Sequence, residues 1–165
     1  MVKITENKLT EHLYDFLQTP QIVSIVTIHN EDLSPVVSCI SWIYSFNENT
    51  IFFAIDSRSI TVENINVHNK ICLHVFTNQS VYSINGTATI IQNPIEQLPL
   101  NLALIKIEVK EVRDVMFYGS TINQIPQIQL NYAPMLAKSL EEKVYEKFKS
   151  VKLENNRIDK VEVDD

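Results

Sequence analysis

Glycine is scarce in this sequence: Gly86 and Gly119 are the two glycines in 165 residues. A Walker loop and a glycine-rich dinucleotide fingerprint each need several glycines at fixed spacing, because the backbone must come close to phosphate. Neither motif is present. Any nucleotide-like ligand must therefore be held by other groups.

A surplus of positive charge is also absent. The formal net charge is -6, and the lysines and arginines form no basic run. Nucleic acids and anionic membranes attract basic patches, so we expect neither as a partner. No stretch approaches the roughly 18 apolar residues that span a bilayer. Residues 1–6 contain no continuous apolar stretch of the kind found in a secretory signal, and we expect a cytoplasmic protein.

Cysteine and histidine are too few and too scattered to indicate metal or thiol chemistry. Cys39 and Cys72 fall on apolar predicted strands, so we interpret them as reduced core residues. The four histidines contain no pair spaced i, i+3 or i, i+4, and no serine lies in a Gly-x-Ser-x-Gly elbow. We therefore predict no metal site, and the sequence identifies no catalytic residue.

The sequence does contain short β-branched runs at near-regular spacing. Six of them predict strands, over residues 22–28, 35–46, 50–55, 71–76, 81–91 and 102–112. Helical spacing of apolar residues predicts helices over 5–18, capped by Thr5, over 59–68 and over 134–149. We expect residues 113–119 to extend or close the sheet.

This pattern predicts a mainly β fold, a small antiparallel barrel with flanking helices. The length favours one domain, which we place at residues 1–150 with a helix at each end. Residues 151–165 are polar, and we expect a mobile tail.

The most informative segment is residues 56–65, which follow a predicted strand and open a short helix. A helix N-terminus attracts anions, Ser57, Ser59 and Thr61 add hydroxyl groups, and Arg58 adds a guanidinium suited to phosphate. The segment therefore predicts a phosphate site. The same residues also fit a plain cap at Ser59 beside a solvated Arg58, and the local pattern leaves both interpretations open.

Several short motifs, in their order along the chain, resemble the pyridoxamine 5'-phosphate oxidase-like family of FMN-binding split barrels. They are PVVS at 35–38, SRS at 57–59, ENI at 63–65 and YSINGTA at 82–88. The resemblance spans about residues 8–120, and residues 111–119 are similar to a small uncharacterised bacterial branch of that family. No one of these motifs is diagnostic alone.

The resemblance implies a six-stranded antiparallel Greek-key split barrel that forms a homodimer with FMN in a groove between the protomers. The phosphate would meet Arg58, Ser59 and Thr61, and the flavin ring would lie along residues 38–42. The implied cofactor-binding residues are Ser38, Ser41, Trp42, Ser57, Arg58, Ser59, Thr61 and Tyr82. The implied function is an FMN-dependent oxidoreductase, or an FMN carrier, of unknown substrate.

One departure from the family pattern leaves a second function open. The family usually has another basic residue beside the serine that opens the short helix, where this chain has Ile60 and Thr61. Loss of that contact costs about 1.5–3 kcal/mol, on the order of tenfold or more in affinity. The alternative is a non-enzymatic split barrel that has lost FMN or binds another flat cofactor such as haem.

Two further expectations qualify the resemblance. A true pyridoxamine phosphate oxidase is not expected, because residues 150–165 contain a single arginine, Arg157, and no counterpart of that enzyme's arginine-bearing substrate segment. Trp42 also fits a core or dimer-interface aromatic, since aromatic side chains dominate buried area in both settings.

Overall fold

The protein is mainly β. The structure, a computed structural model, describes residues 5–131 and 133–161, with 152–161 as backbone alone. Its elements are β1 (Thr5–Glu6), α1 (Glu11–Phe16), β2 (Val23–Ile28), β3 (Pro35–Ile40), β4 (Ile43–Asn47), β5 (Thr50–Asp56), α2 (Ile60–Val67), β6 (Lys70–Phe76), β7 (Val81–Gln92), β8 (Leu102–Asp114) and α3 (Pro134–Val161). The antiparallel strands follow the order β3-β2-β6-β7-β8-β5-β4, and β1 pairs with β8. The predicted split-barrel class with flanking helices is confirmed.

The described chain has eight strands where the sequence predicted six. One addition is β1, and the other comes from a break in the strand predicted over 35–46. At the break the carbonyl of Ser41 accepts a hydrogen bond from the N–H of Gln21 (3.3 Å), and that of Trp42 accepts one from Ala54 (3.1 Å). The chain thus leaves β2 as its partner and pairs with β5, so β3 and β4 form the two ends of the sheet.

The N-terminal helix is shorter than predicted. The cap is Thr10, whose hydroxyl accepts a hydrogen bond from the N–H of Leu13 (3.3 Å), whereas Thr5 lies in β1 opposite Arg113. The N–H of Leu9 donates to the carbonyl of Glu48 (2.7 Å) and holds this residue to the sheet. Pairing with the sheet therefore delays the start of the helix predicted over 5–18.

Two apolar clusters stabilise the fold, one on each face of the curved sheet. The barrel interior is filled by inward side chains of the strands together with Leu13 of α1 and Val62 of α2. The second cluster lies between the outer face of β4, β5 and β8 and helix α3, and includes Phe52 and Phe148. Phe52 and Phe53 are adjacent on β5 but belong to different clusters, because strand side chains alternate between the two faces of a sheet.

A buried tyrosine ties α3 to the sheet. The hydroxyl of Tyr145 donates a hydrogen bond to the carbonyl of Ile43 (2.7 Å), and burial raises the pKa of Tyr145 well above its usual value. Helix α3 continues to Val161, past its predicted end at Lys149 and into the stretch predicted as a polar tail. Residues 162–165 of that stretch lie outside the described residues.

Both cysteines differ from the prediction of core packing. Cys39 pairs with Ser24 across β2 and β3, on the outward face, where it is exposed, and Cys72 is half-buried. Alternation along each strand causes this, because the neighbours Ile40, Ile71 and Leu73 take the inward positions.

The strand predicted to end at residue 112 reaches Asp114 in β8. One further backbone bond, from the N–H of Val115 to the carbonyl of Val81 (2.8 Å), follows it, and residues 115–119 form no strand. Among the described helices, none is long and apolar enough to cross a membrane.

Candidate cofactor site

The turn at residues 57–59 joins β5 to α2 as predicted from the sequence. Ser59 is the N-cap of α2, and its hydroxyl accepts a hydrogen bond from the N–H of Val62 (3.4 Å). The N–H of Ser57 donates to the carbonyl of Asn101 (2.9 Å), which holds the turn against the chain entering β8. The first N–H groups of α2 have no acceptor inside the helix. The N–H groups of Arg58 and Ser59 are used within the turn, since both donate to Asp56, so the backbone donors for an anion are those of Ile60 and Thr61 at the start of α2.

Arg58 is exposed but already has an anionic neighbour. Its side chain is 82% exposed, and its Nε and Nη2 donate to the Asp56 carboxylate at 3.2 and 3.1 Å. The N–H of Arg58 donates to the same carboxylate at 2.8 Å. Both contacts hold the pKa of Asp56 below its usual value, and the hydrogen bonding from the guanidinium is the larger cause. Asp56 therefore competes with any phosphate for the Arg58 guanidinium.

Thr61 points into the protein, away from the exposed turn. Its side chain is fully buried, and its hydroxyl donates a hydrogen bond to that of Ser38 on β3 (2.9 Å). One turn along α2, the Asn64 amide donates to the hydroxyl of Thr27 on β2 (3.0 Å). These four residues join α2 to the β2–β3 hairpin through side-chain hydrogen bonds.

Two polar atoms near this turn are enclosed without a hydrogen-bond partner among the described residues. They are the hydroxyl oxygen of Ser57 and the side-chain carbonyl oxygen of Asn64. A buried polar atom without a partner costs about 1–3 kcal/mol. The region around the start of α2 therefore retains unused hydrogen-bonding capacity.

Ser41 and Trp42 lie at the break between β3 and β4 and line a groove on the α3 side of the sheet. The groove has a volume of about 440 Å³. Trp42 is half-buried and packs against the cluster under α3, whereas Ser38 and Thr61 sit on the side of the barrel interior. The structure therefore places Trp42 on the other face of the sheet from Ser38 and Thr61, although it lies opposite Ala54, two residues before Asp56.

Tyr82 lies on β7, three strands from β3 in the order of the sheet. Its register runs through Val75 of β6 and Val23 of β2 to Ile40 of β3. These three spacings are about 14 Å measured along the curved sheet. Burial, with a smaller contribution from the Asp114 charge, raises the pKa of Tyr82.

The predicted site residues thus fall into three places. The first place is the start of α2, with Ser57, Arg58, Ser59 and Thr61, where Ser38 of β3 accepts the hydrogen bond of Thr61. The second is the groove, with Ser41 and Trp42, and the third is β7, with Tyr82. Sequence reasoning did not predict that Asp56 pairs with Arg58, although its position two residues before Arg58 allows this contact. It also missed Thr27 and Asn64, whose types and spacing carry no signal of burial.

The turn fits the phosphate of FMN through one cation and a helix N-terminus. Arg58, the Ser59 hydroxyl and the free N–H groups of α2 supply donors of the kind that phosphate accepts. Ile60 is apolar, and the hydroxyl of Thr61 is turned inward. The second basic contact of the resembled family has no substitute in this turn.

The match to a family model extends across the sheet and this turn. A model of the family described as pyridoxamine 5'-phosphate oxidase matches residues 9–116, more than half of the chain. The chain belongs to the pyridoxamine 5'-phosphate oxidase family. The resemblance drawn from the sequence motifs is therefore confirmed. A comparison with curated proteins gave no match.

Solved structures show the same fold. A protein described as a candidate pyridoxamine 5'-phosphate oxidase from Lactobacillus delbrueckii is 18% identical, with a TM-score of 0.57, and covers 68% of this chain and 98% of its own. HupZ of Group A Streptococcus is 16% identical, with a TM-score of 0.56, and covers 69% and 98%. An F420 reductase is 12% identical, with a TM-score of 0.52, and covers 63% and 98%. At these identities the likeness establishes the fold alone.

Proposed function

We propose that this member of the pyridoxamine 5'-phosphate oxidase family binds FMN reversibly, as an oxidoreductase or a flavin carrier. The observation that supports this most directly is the exposed Arg58 guanidinium beside the free N-terminus of α2. Arg58 and Ser59 would hold the phosphate, and β3 near Ser38 would flank the ring. When bound, FMN supplies the redox chemistry, and the protein positions and tunes it.

The proposed affinity is weak because the site has one cation and that cation is shared. Ile60 and Thr61 add no charge, and the Asp56 carboxylate both repels phosphate and occupies Arg58. A missing charge-assisted contact lowers affinity on the order of tenfold or more. We therefore expect FMN to exchange during purification.

The first experiment is the visible absorbance of the purified protein before and after titration with FMN. We expect saturable binding that Arg58→Ala weakens about tenfold. Arg113→Ala is the matched control, since Arg113 also pairs with a carboxylate two residues earlier, Glu111 (2.9 Å). Absence of saturable binding would contradict the proposal, as would an equal loss in both variants.

A gain of affinity provides a second test. Ile60 is half-buried at the first position of α2, so Ile60→Arg would return a basic side chain to the turn. We expect FMN to bind about tenfold more tightly to this variant. Asn66→Arg adds the same charge on an exposed position of the same helix and should have little effect.

A second candidate function is a split-barrel binding module without FMN. The Thr61–Ser38 hydrogen bond favours it, because a buried side chain replaces a phosphate contact of the resembled family. The protein would then stay colourless in FMN, and titration with haem would test the other flat cofactor. In either case we expect no oxidation of pyridoxamine phosphate, and turnover of that compound would refute this expectation.

A further inference from the structure

The groove beside the β3–β4 break shares no lining residue with the start of α2. Its lining includes Trp42, Gln21 and Ile22 before β2, Ile125 and Ile128 before α3, and Glu141 of α3. A volume of about 440 Å³ falls within the usual range of small-molecule sites. The groove could therefore hold a ligand of moderate size.

The charge of this groove is negative. Glu141 is the charged residue among the groove-lining side chains, and it forms no ion pair with another described residue. Glu141 is half-exposed and close enough to Tyr145 to contribute to the raised pKa of that phenol. A carboxylate without an ion-pair partner attracts a positive ligand group.

A second groove continues the same surface and carries the same sign. It shares Pro20 and Glu141 with the first, and its rim adds Glu142 and Glu146 against one cation, Lys149. Glu142 is paired with Lys138 (3.9 Å) and Lys149 offsets Glu146, so Glu141 is the uncompensated carboxylate of these lining residues.

The lining combines this charge with an aromatic face and branched apolar walls. Trp42 is half-buried, and Ile22 and Ile125 are half-buried beside it. A tryptophan face attracts organic cations, and branched walls favour an apolar body. We propose that this groove binds a small organic cation, an amine attached to an aromatic or branched apolar group. The proposal does not rest on FMN binding, because it uses neither Arg58 nor the turn at 57–59, although Ser41 and Trp42 are also among the residues that the resemblance implies for the flavin.

The test uses Trp42, the single tryptophan of the chain, as the reporter. Trp42 emission and calorimetry are followed during titration with 2-phenylethylammonium, 2-phenylethanol and phenylacetate, which share a phenyl group and differ in charge. We expect saturable binding of the amine, about fivefold tighter than the alcohol, and weaker binding of the carboxylate. Equal affinity for amine and alcohol, or no saturable response to the amine, would overturn the proposal.

Substitution of the carboxylate decides whether Glu141 is responsible. In Glu141→Gln we expect the amine and the alcohol to bind with equal affinity. Glu96 is an exposed glutamate outside the groove, so Glu96→Gln should keep the higher affinity for the amine. Gln127→Lys places a cation at an exposed position of the lining and should weaken the amine selectively without a buried change. Retention of the amine preference in both Glu141→Gln and Gln127→Lys would overturn the assignment.

Discussion

At the scale of single residues, the Asp56–Arg58 pair predicts a pH effect. The guanidinium and the N–H of Arg58 lower the pKa of Asp56, so the pair's stabilising effect is present above the ordinary carboxyl pKa and is lost as the pH falls through the folded value. Arg58→Ala should raise the Asp56 pKa only part of the way to its ordinary value, because the backbone donor remains. An NMR titration of the Asp56 carboxyl carbon tests this, and an unchanged pKa would contradict it.

Gly86 predicts a stability effect. A Cβ there would overlap the carbonyl oxygen of Glu108 and lie 2.8 Å from Ile107 Cγ2, at the register shift between β7 and β8. We expect Gly86→Ala to lower the free energy of unfolding by about 3 kcal/mol, measured by urea denaturation. Gly119→Ala is the comparison: a Cβ there meets no atom within 4 Å, but φ is +78°, so about 1 kcal/mol is expected. Equal losses would argue against the steric explanation.

The direction of each side chain was the hardest property to predict from the sequence. The strand alternation that predicts a sheet does not say which set of residues faces inward, and Cys39 was therefore assigned to the core. On α2 the buried residues include Thr61 and Asn64, whereas Val67 is exposed. Polarity alone would have placed these residues the other way round, since their burial depends on partners in β2 and β3.

At the scale of elements, α3 is held mainly by its aromatic contacts with the sheet. Phe148 is fully buried and stacks near Tyr44 and Phe52, with ring centroids 6.1 and 6.5 Å apart. We expect Phe148→Ala to cost about 3–5 kcal/mol in urea unfolding. Met135→Ala, at an exposed position of the same helix, should change stability by less than about 0.5 kcal/mol. A small loss for Phe148→Ala would show that α3 contributes little to the fold.

The order and approximate bounds of most elements could be predicted from the sequence, because β-branched runs and helical spacing are local signals. The break at Ser41 and Trp42 could not, since no glycine or proline marks it and a single serine is a weak turn signal. It arises from hydrogen bonds to Gln21 and Ala54, which lie in other parts of the chain. The late start of α1 has the same origin, because both Thr5 and Thr10 can cap a helix and pairing with β8 decides between them.

At the scale of the whole molecule, we predict a homodimer. In the described sheet β3 pairs only with β2, so its other edge is unpaired, and an unpaired edge favours association. The outer edge of β4 is covered instead, since the N–H of Ser45 donates to the carbonyl of Leu17 and the Tyr145 hydroxyl donates to the carbonyl of Ile43. Sedimentation should give twice the 19.0 kDa mass of one chain. A monomeric mass would refute this and would weaken the FMN proposal, because the resemblance implies a flavin groove that needs both protomers.

The family could be recognised from the sequence because its motifs keep their order along the chain. The geometry of the candidate site could not, since it depends on contacts between distant segments. Ser41 and Trp42 are adjacent to Ile40 in sequence, yet the strand break directs Trp42 to the α3 side.

The hydrogen bond between Thr61 and Ser38 also bears on the evolutionary history of the site. A lysine introduced at position 61 alone would bury an ammonium group and remove the donor to the Ser38 hydroxyl. A return to the resembled family's basic pattern at this position would therefore require a compensating change on β3. The two positions are mutually dependent, and related chains with a basic residue at position 61 should differ at position 38 as well.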